Sequence, residues 1–355
     1  MDIGQLIPPP DFLQVQWGWF QLLQTGTFFC HLLVMNVMLG AAIISLWYQV
    51  ATPDSAVAQL TAQKLPFSIA FAVNLGVAPL LFLQVLSGHF IYVSSILMAS
   101  LWLSVVAVLI ISYYAAYIYQ LRYEDLAVLR GIPAGVMVAG LLYIAFIFSA
   151  NMALMENPNA WPEYFARPEG WILNLNDPRL MPRFLHTVLG AVATAGLALA
   201  LYGDYRQERG HSCPEHMVAG GCRLFSYATI ANFGVGFWYL GSLPTGIFRQ
   251  PGLAGKLMAF CLLLAIATTA LAVINGLRER ARQALAFLLL TLLAMTLVRE
   301  FARAILLAPW RDYGEIPLRP EYSPFIFFLL VLGFGVFLVV YMARLVLSGL
   351  SGGQR

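Results

Sequence analysis

The sequence predicts an all-α integral membrane protein, a single domain of nine transmembrane helices spanning residues 1–355. Composition is the first observation behind this. Of the residues, 60% are hydrophobic and 10% charged, whereas a water-soluble domain carries roughly a quarter charged residues. The second is length, because apolar runs of the ~20 residues a helix needs to cross about 30 Å of hydrocarbon recur along the whole chain. The third is a constraint on the backbone: its polar groups must be satisfied internally in lipid, so these runs are helices.

The first span, 17–49, follows a lead-in, MDIGQLIPPPDFLQVQWGWF, whose prolines and tryptophans suit a membrane interface. That lead-in has no basic n-region, so a cleavable signal peptide is not expected. Spans 66–87 and 92–119 flank LSGHFIY, read as an outer loop, and span 131–152 runs into SANMALMENPNAW. Span 182–203 starts at Pro182, and span 222–242 follows the loop HSCPEHMVAGGC. Spans 254–276, 283–308 and 324–347 complete the set. Loops after odd-numbered spans, with the C-terminal tail, carry eleven Lys and Arg against seven on the other side. The positive-inside rule then places the N-terminus outside and the C-terminus in the cytoplasm.

Several function classes are excluded or weakened. A net charge of +3 is too small to point to nucleic acid, and no Walker or dinucleotide glycine pattern is present. Cys30 and Cys261 fall within helices and only Cys213 and Cys222 share a loop, which is no disulfide framework. There is no CxxCH, so any haem is held by axial ligands alone. No internal repeat or inverted pair of broken helices supports a secondary transporter.

Ionisable groups inside apolar helices are costly unless paired, coordinated or facing a cavity. His31 in FFCHLLVMNVMLG and His186 in RFLHTVLGAVATAG are such groups, and haem ligation is the first chemistry they suggest. Met258, in GKLMAFCLLL, stands at a depth matching His186, and a His/Met pair can clamp one haem iron, although methionine is also common core filler. LVREFARAILLAPW sets Arg299, Glu300 and Arg303 in an apolar span. Glu300 and Arg303 form an i,i+3 ion pair in the plainer reading. In the sharper one Glu300 is a haem or proton ligand and Arg303 grips haem propionates with its fork of donors. His89 is a weaker candidate for a cofactor or quinone contact. His211, Cys213, His216 and Cys222 are zinc-capable, but their irregular spacing makes a solvated loop with spare thiols the preferred reading.

Together these segments resemble subunit I of the cytochrome bd quinol oxidase family, in order along nearly all of the chain. The first span is similar to that family's LQ…T…HxLxV stretch, and FSIAFAVNLGVAP with Gln84 to its second helix, which sets an asparagine and glycines near the haems. SANMALMENPNAW resembles AANxxMQNPxG, RFLHTV resembles KFxHTV, KLMAF resembles RIMVG, and LVREFARAILLAPW resembles ExGRQPW. The resemblance implies His31 as axial ligand of an active-site haem, and His186 with Met258 as ligands of the low-spin haem b. It further implies Lys256 in place of an arginine, Glu300 as carboxylate ligand of a second active-site haem, and Arg303 on the matching arginine. It also implies two or three b-type haems, one replaceable by haem d, and a second homologous membrane subunit in a bacterial inner membrane.

Three departures shape the expected function. The stretch HFIYVSSILMASLWLSVV lacks the carboxylates that the family's third helix uses to feed protons to oxygen. The long quinol loop is reduced to GSLPTGIFRQPGLAG, and GRQPW has become FARAILLAPW. The expectation is a lipid-embedded haem subunit that oxidises quinol near the periplasmic face. It hands electrons to a cytochrome c or multihaem partner, with loop 153–181, carrying Trp161, Tyr164 and Trp171, as docking surface. The alternatives are a divergent oxidase reducing oxygen at a His31/Glu300 haem pair, a haem-free proton-coupled transporter, and an anchor with vestigial ligands.

Overall fold

The computed structural model describes residues 3–52, 55–210, 213–214, 216–249, 252–311, 314 and 316–352. Eleven α-helices follow in order: α1 (Trp17–Ala51), α2 (Ala56–Ala62), α3 (Leu65–Leu97), α4 (Ala99–Leu121), α5 (Tyr123–Leu126), α6 (Gly131–Met155), α7 (Leu180–Glu208), α8 (Met217–Ser242), α9 (Leu253–Leu277), α10 (Ala281–Leu307) and α11 (Tyr322–Gly352). Two are short, and the other nine fall on the nine predicted spans. Eight of those nine are long and apolar enough to cross a membrane. The ninth, α8, is diluted by Arg223, Ser226, Tyr227, Thr229 and Asn232.

The long helices pack in neighbouring pairs, α7 along α8, α9 along α10, α4 along α6, and α1 between α3 and α7. Small residues permit the closest crossing. A Cβ on Gly40 of α1 would lie 2.0 Å from the Ala191 carbonyl oxygen of α7, so only hydrogen fits there. Van der Waals packing of this kind holds helices together where lipid removes the hydrophobic drive between them.

The second and third spans differ from expectation at their junction. LSGHFIY is not a loop, because α3 continues through it to Leu97 with one non-helical residue, Ser87 (φ −136°, ψ 28°). Arg311, distant in sequence, donates to Ser87 Oγ at 2.5 Å and to the Leu86 carbonyl at 3.4 Å, which satisfies groups freed by the kink. The reversal comes instead at Met98, where Ile172 N–H donates to Leu97 O at 3.4 Å and Ser100 N–H to Gly170 O at 3.1 Å. The same face of the bundle is closed by a short parallel bridge between Leu13 and Leu318. α11 is the least embedded of the spans. It touches α1 and α3 through Phe325 with Trp19 and Phe20, and Phe328 with Phe82.

Candidate functional site

His31 stands on α1 and faces α3. Its Nδ1 lies 3.1 Å from the Ala72 carbonyl oxygen. A carbonyl only accepts, so Nδ1 carries the proton and Nε2 keeps its lone pair, the state in which an imidazole binds metal. Gly76, one turn further along α3, lies against the ring, where a Cβ would sit 2.9 Å from Cε1. Asn74, by contrast, is exposed and donates to Ala70 O of its own helix at 2.8 Å.

His186 faces α8 at Gly236, where a Cβ would be 3.4 Å from its Cε1. Its Nδ1 and Asn232 Oδ1 are both buried, and Asn232 is the polar group that faces the imidazole across the α7–α8 contact. Met258 has different neighbours. It is 1% exposed in a hydrophobic cluster with Leu243, Ile247, Ala302, Tyr239, Leu240 and Val298, surroundings that suit methionine as filler. Lys256, two residues earlier, is exposed.

Around Glu300 the structure assembles a buried ionic network. Arg303 Nη1 donates to Glu300 Oε2 at 2.9 Å and Oε1 at 3.1 Å, and Gln21 Nε2 of α1 donates to Oε2 at 3.1 Å. The i,i+3 pair is therefore formed. It extends beyond α10, because Arg303 Nε lies 3.6 Å from Glu156 Oε1 at the end of α6, and Glu156 in turn is hydrogen-bonded to Arg183 of α7. Arg183 also donates to the Tyr239 hydroxyl at 2.9 Å. Arg299 Nη1 is 3.9 Å from Glu300, and its guanidinium lies 4.0 Å above the Phe28 ring, three residues before His31. Three guanidiniums thus face two carboxylates, an excess of one positive charge. Arg303, 2% exposed, has Nε and Nη2 with no hydrogen-bond acceptor among the described residues. Nη2 is thus the donor of this ion-paired guanidinium that stays open to a further acceptor.

Glu156 and Arg183 were not singled out from sequence. The available signal was the acid in MENP, where the resembling motif has glutamine, and an arginine one turn before His186. Burial alone would raise the Glu156 carboxyl, but Arg183, Arg303 and Arg179 together hold it below the ordinary carboxylate range. Asp177 is held low in the same way, its burial outweighed by the hydrogen bonds and charge of Arg179, whose Nη2 and Nε donate to it at 2.6 and 2.9 Å. Both folded values lie below the unfolded ones. This stabilisation is complete above the unfolded carboxyl values, near pH 4, and is lost as pH falls through the folded values. Thermal melts in detergent are expected to be flat from pH 7 to about pH 5 and to fall below pH 4. A melting temperature constant down to pH 3 would contradict the pairing.

Other sequence candidates are dispersed. His89 lies within α3, its ring 4.4 Å from that of Phe90. Cys222 is buried inside α8, Cys213 Sγ contacts Met217 Sδ at 3.7 Å, and His211 lies outside the described residues. Among the described residues no three His, Cys, Asp or Glu side chains converge as a metal cage. Trp161 of the 153–181 loop is 2% exposed and donates to Leu154 O at 3.0 Å, whereas Trp171 and Phe165 are 62% and 61% exposed. Trp161 therefore belongs to the core and only the latter two present surface. No protein-family model matches the chain, and no characterised protein matches it in sequence.

Proposed function

We propose that this chain is a haem b membrane subunit, similar to cytochrome bd subunit I, in which α8 is the ninth span. It oxidises quinol at the periplasmic face and passes electrons to a cytochrome c or multihaem partner. The observation that carries the reading is His31: an imidazole within a membrane helix, with Nδ1–H tied to Ala72 O, Nε2 left with its lone pair, and a glycine against its ring. His186 likewise has a glycine, Gly236 of α8, beside its ring. His31, His186, Met258 and Glu300 are the residues that would hold the haem groups. When bound, haem supplies reversible one-electron chemistry.

Arg303 is proposed to hold a haem propionate through Nη2, which has no hydrogen-bond acceptor among the described residues. Arg299, stacked on Phe28, places a second positive charge near the His31 side. Below His31, α1 packs Met38, Leu39 and Ala42 against Leu65, Ile69, Ala116 and Met137, an apolar layer. The polar group Ser45, Tyr119 and Gln49 lies on the far side of that layer. With no carboxylate in the third span, this layer supports electron export over oxygen reduction fed by cytoplasmic protons. One observation favours a second reading, a haem-free proton-coupled transporter: both Glu300 oxygens are engaged by Arg303 and Gln21.

The test is a reduced-minus-oxidised spectrum with pyridine haemochrome analysis of the purified protein. Two or three b-type haems reducible by quinol are expected. Absence of a Soret band supports the transporter, and rapid oxygen uptake with quinol alone supports the oxidase.

A further inference from the structure

A cleft beside the ionic network of Glu156 takes no part in the chemistry above. It encloses about 510 Å³ between the loop after α6 and the end of α10, within the roughly 300–1,000 Å³ of small-molecule sites. Its lining is mixed in a particular way. Leu306, Pro309 and Trp310 supply flat apolar wall, and Asn174 and Asn176 supply amides. Glu156, buried and ion-paired to Arg183 and Arg303, also lines it.

We propose that this cleft binds the hydroquinone headgroup. The inference deepens the function proposed above, rests on that reading, and names the place of its substrate. A hydroquinone is a planar apolar ring with a phenolic hydroxyl at each end. The wall of Leu306, Pro309 and Trp310 fits the ring faces. One hydroxyl donates to Glu156, whose charge is secured by its guanidinium partners, and the other reaches the asparagine amides, which donate as well as accept and so suit the quinone form too. Two other ligand classes fit less well. A divalent cation would need Asp177, but Arg179 occupies both its oxygens. An anion would be repelled by Glu156 at the lining. Position also favours a redox ligand, because Glu156 bonds to Arg183, and Arg183 stands three residues from His186 on α7, a rise of about 4.5 Å.

The test labels the purified full-length protein with a short-tail azidobenzoquinone under light and maps adducts by mass spectrometry. Adducts on peptides covering 157–178 and 306–311, reduced at least ten-fold by excess unlabelled short-tail quinone, are expected. The double variant Asn159→Trp with Asn176→Trp, at two exposed cleft positions, fills the space without touching the ionic network. It is expected to reduce that labelling ten-fold and to slow haem reduction by the same quinol, while the dithionite-reduced spectrum stays as in the parent. Competable adducts elsewhere, or labelling and quinol reduction unchanged in the double variant, overturn the cleft and leave the haem reading standing. A parent protein with no haem and no competable adducts overturns both.

Discussion

Replacing Glu156 with alanine is expected to destabilise the protein by about 3–5 kcal/mol, the cost of stranding buried charge whose partner is removed. Glu156 is 5% exposed and sits between Arg183 and Arg303. Without it three guanidiniums would share Glu300 alone. Stabilities of whole proteins are roughly 5–15 kcal/mol, so the loss is a large fraction. The measurement is thermal unfolding in detergent, with an expected fall of roughly 5–15 °C. Glu156→Gln keeps the volume but not the charge and is expected to lose nearly as much. The double variant Glu156→Gln with Arg183→Met, which removes the unpaired charge with its partner, is expected to recover part of it. Single and double variants melting alike would show that the pair is not coupled.

His31→Ala is expected to remove about one haem equivalent, read as loss of part of the Soret absorbance with the amount of folded protein unchanged. The imidazole makes one hydrogen bond in the described structure, to a carbonyl on α3, so deletion leaves Ala72 O to its own helix. A graded version is Gly76→Val. Its added carbon would meet His31 Cε1 at 2.9 Å, and displacement of the ring is expected to shift the same band without abolishing it. Unchanged spectra in both variants would leave His31 as an ordinary buried imidazole bonded to α3.

Much of this was legible residue by residue. The nine long helices coincide with the apolar runs because the cost of burying backbone in lipid is set within each run. The i,i+3 pair of Glu300 and Arg303 was readable because helix geometry alone sets their spacing. Other readings depended on residues far away. LSGHFIY has the composition of a turn, yet α3 passes through it, since Arg311 satisfies the groups that Ser87 leaves open and the loop at 170–172 caps the reversal at Met98. The depth of Met258 was legible from its run, whereas its packing against Leu243, Ile247 and Ala302 depends on how distant segments meet.

By itself the sequence determined that the chain is helical and membrane-embedded, where its helices run, and which charges and imidazoles sit within them, because hydropathy and helical period act over a few turns. Only the tertiary structure decided that Glu156 joins Arg183 and Arg303, that His31 Nδ1 meets the Ala72 carbonyl, and that a cleft of mixed lining opens beside that network. Those outcomes depend on which helix ends meet, and hydrogen bonds between helix ends leave no periodic trace in the chain.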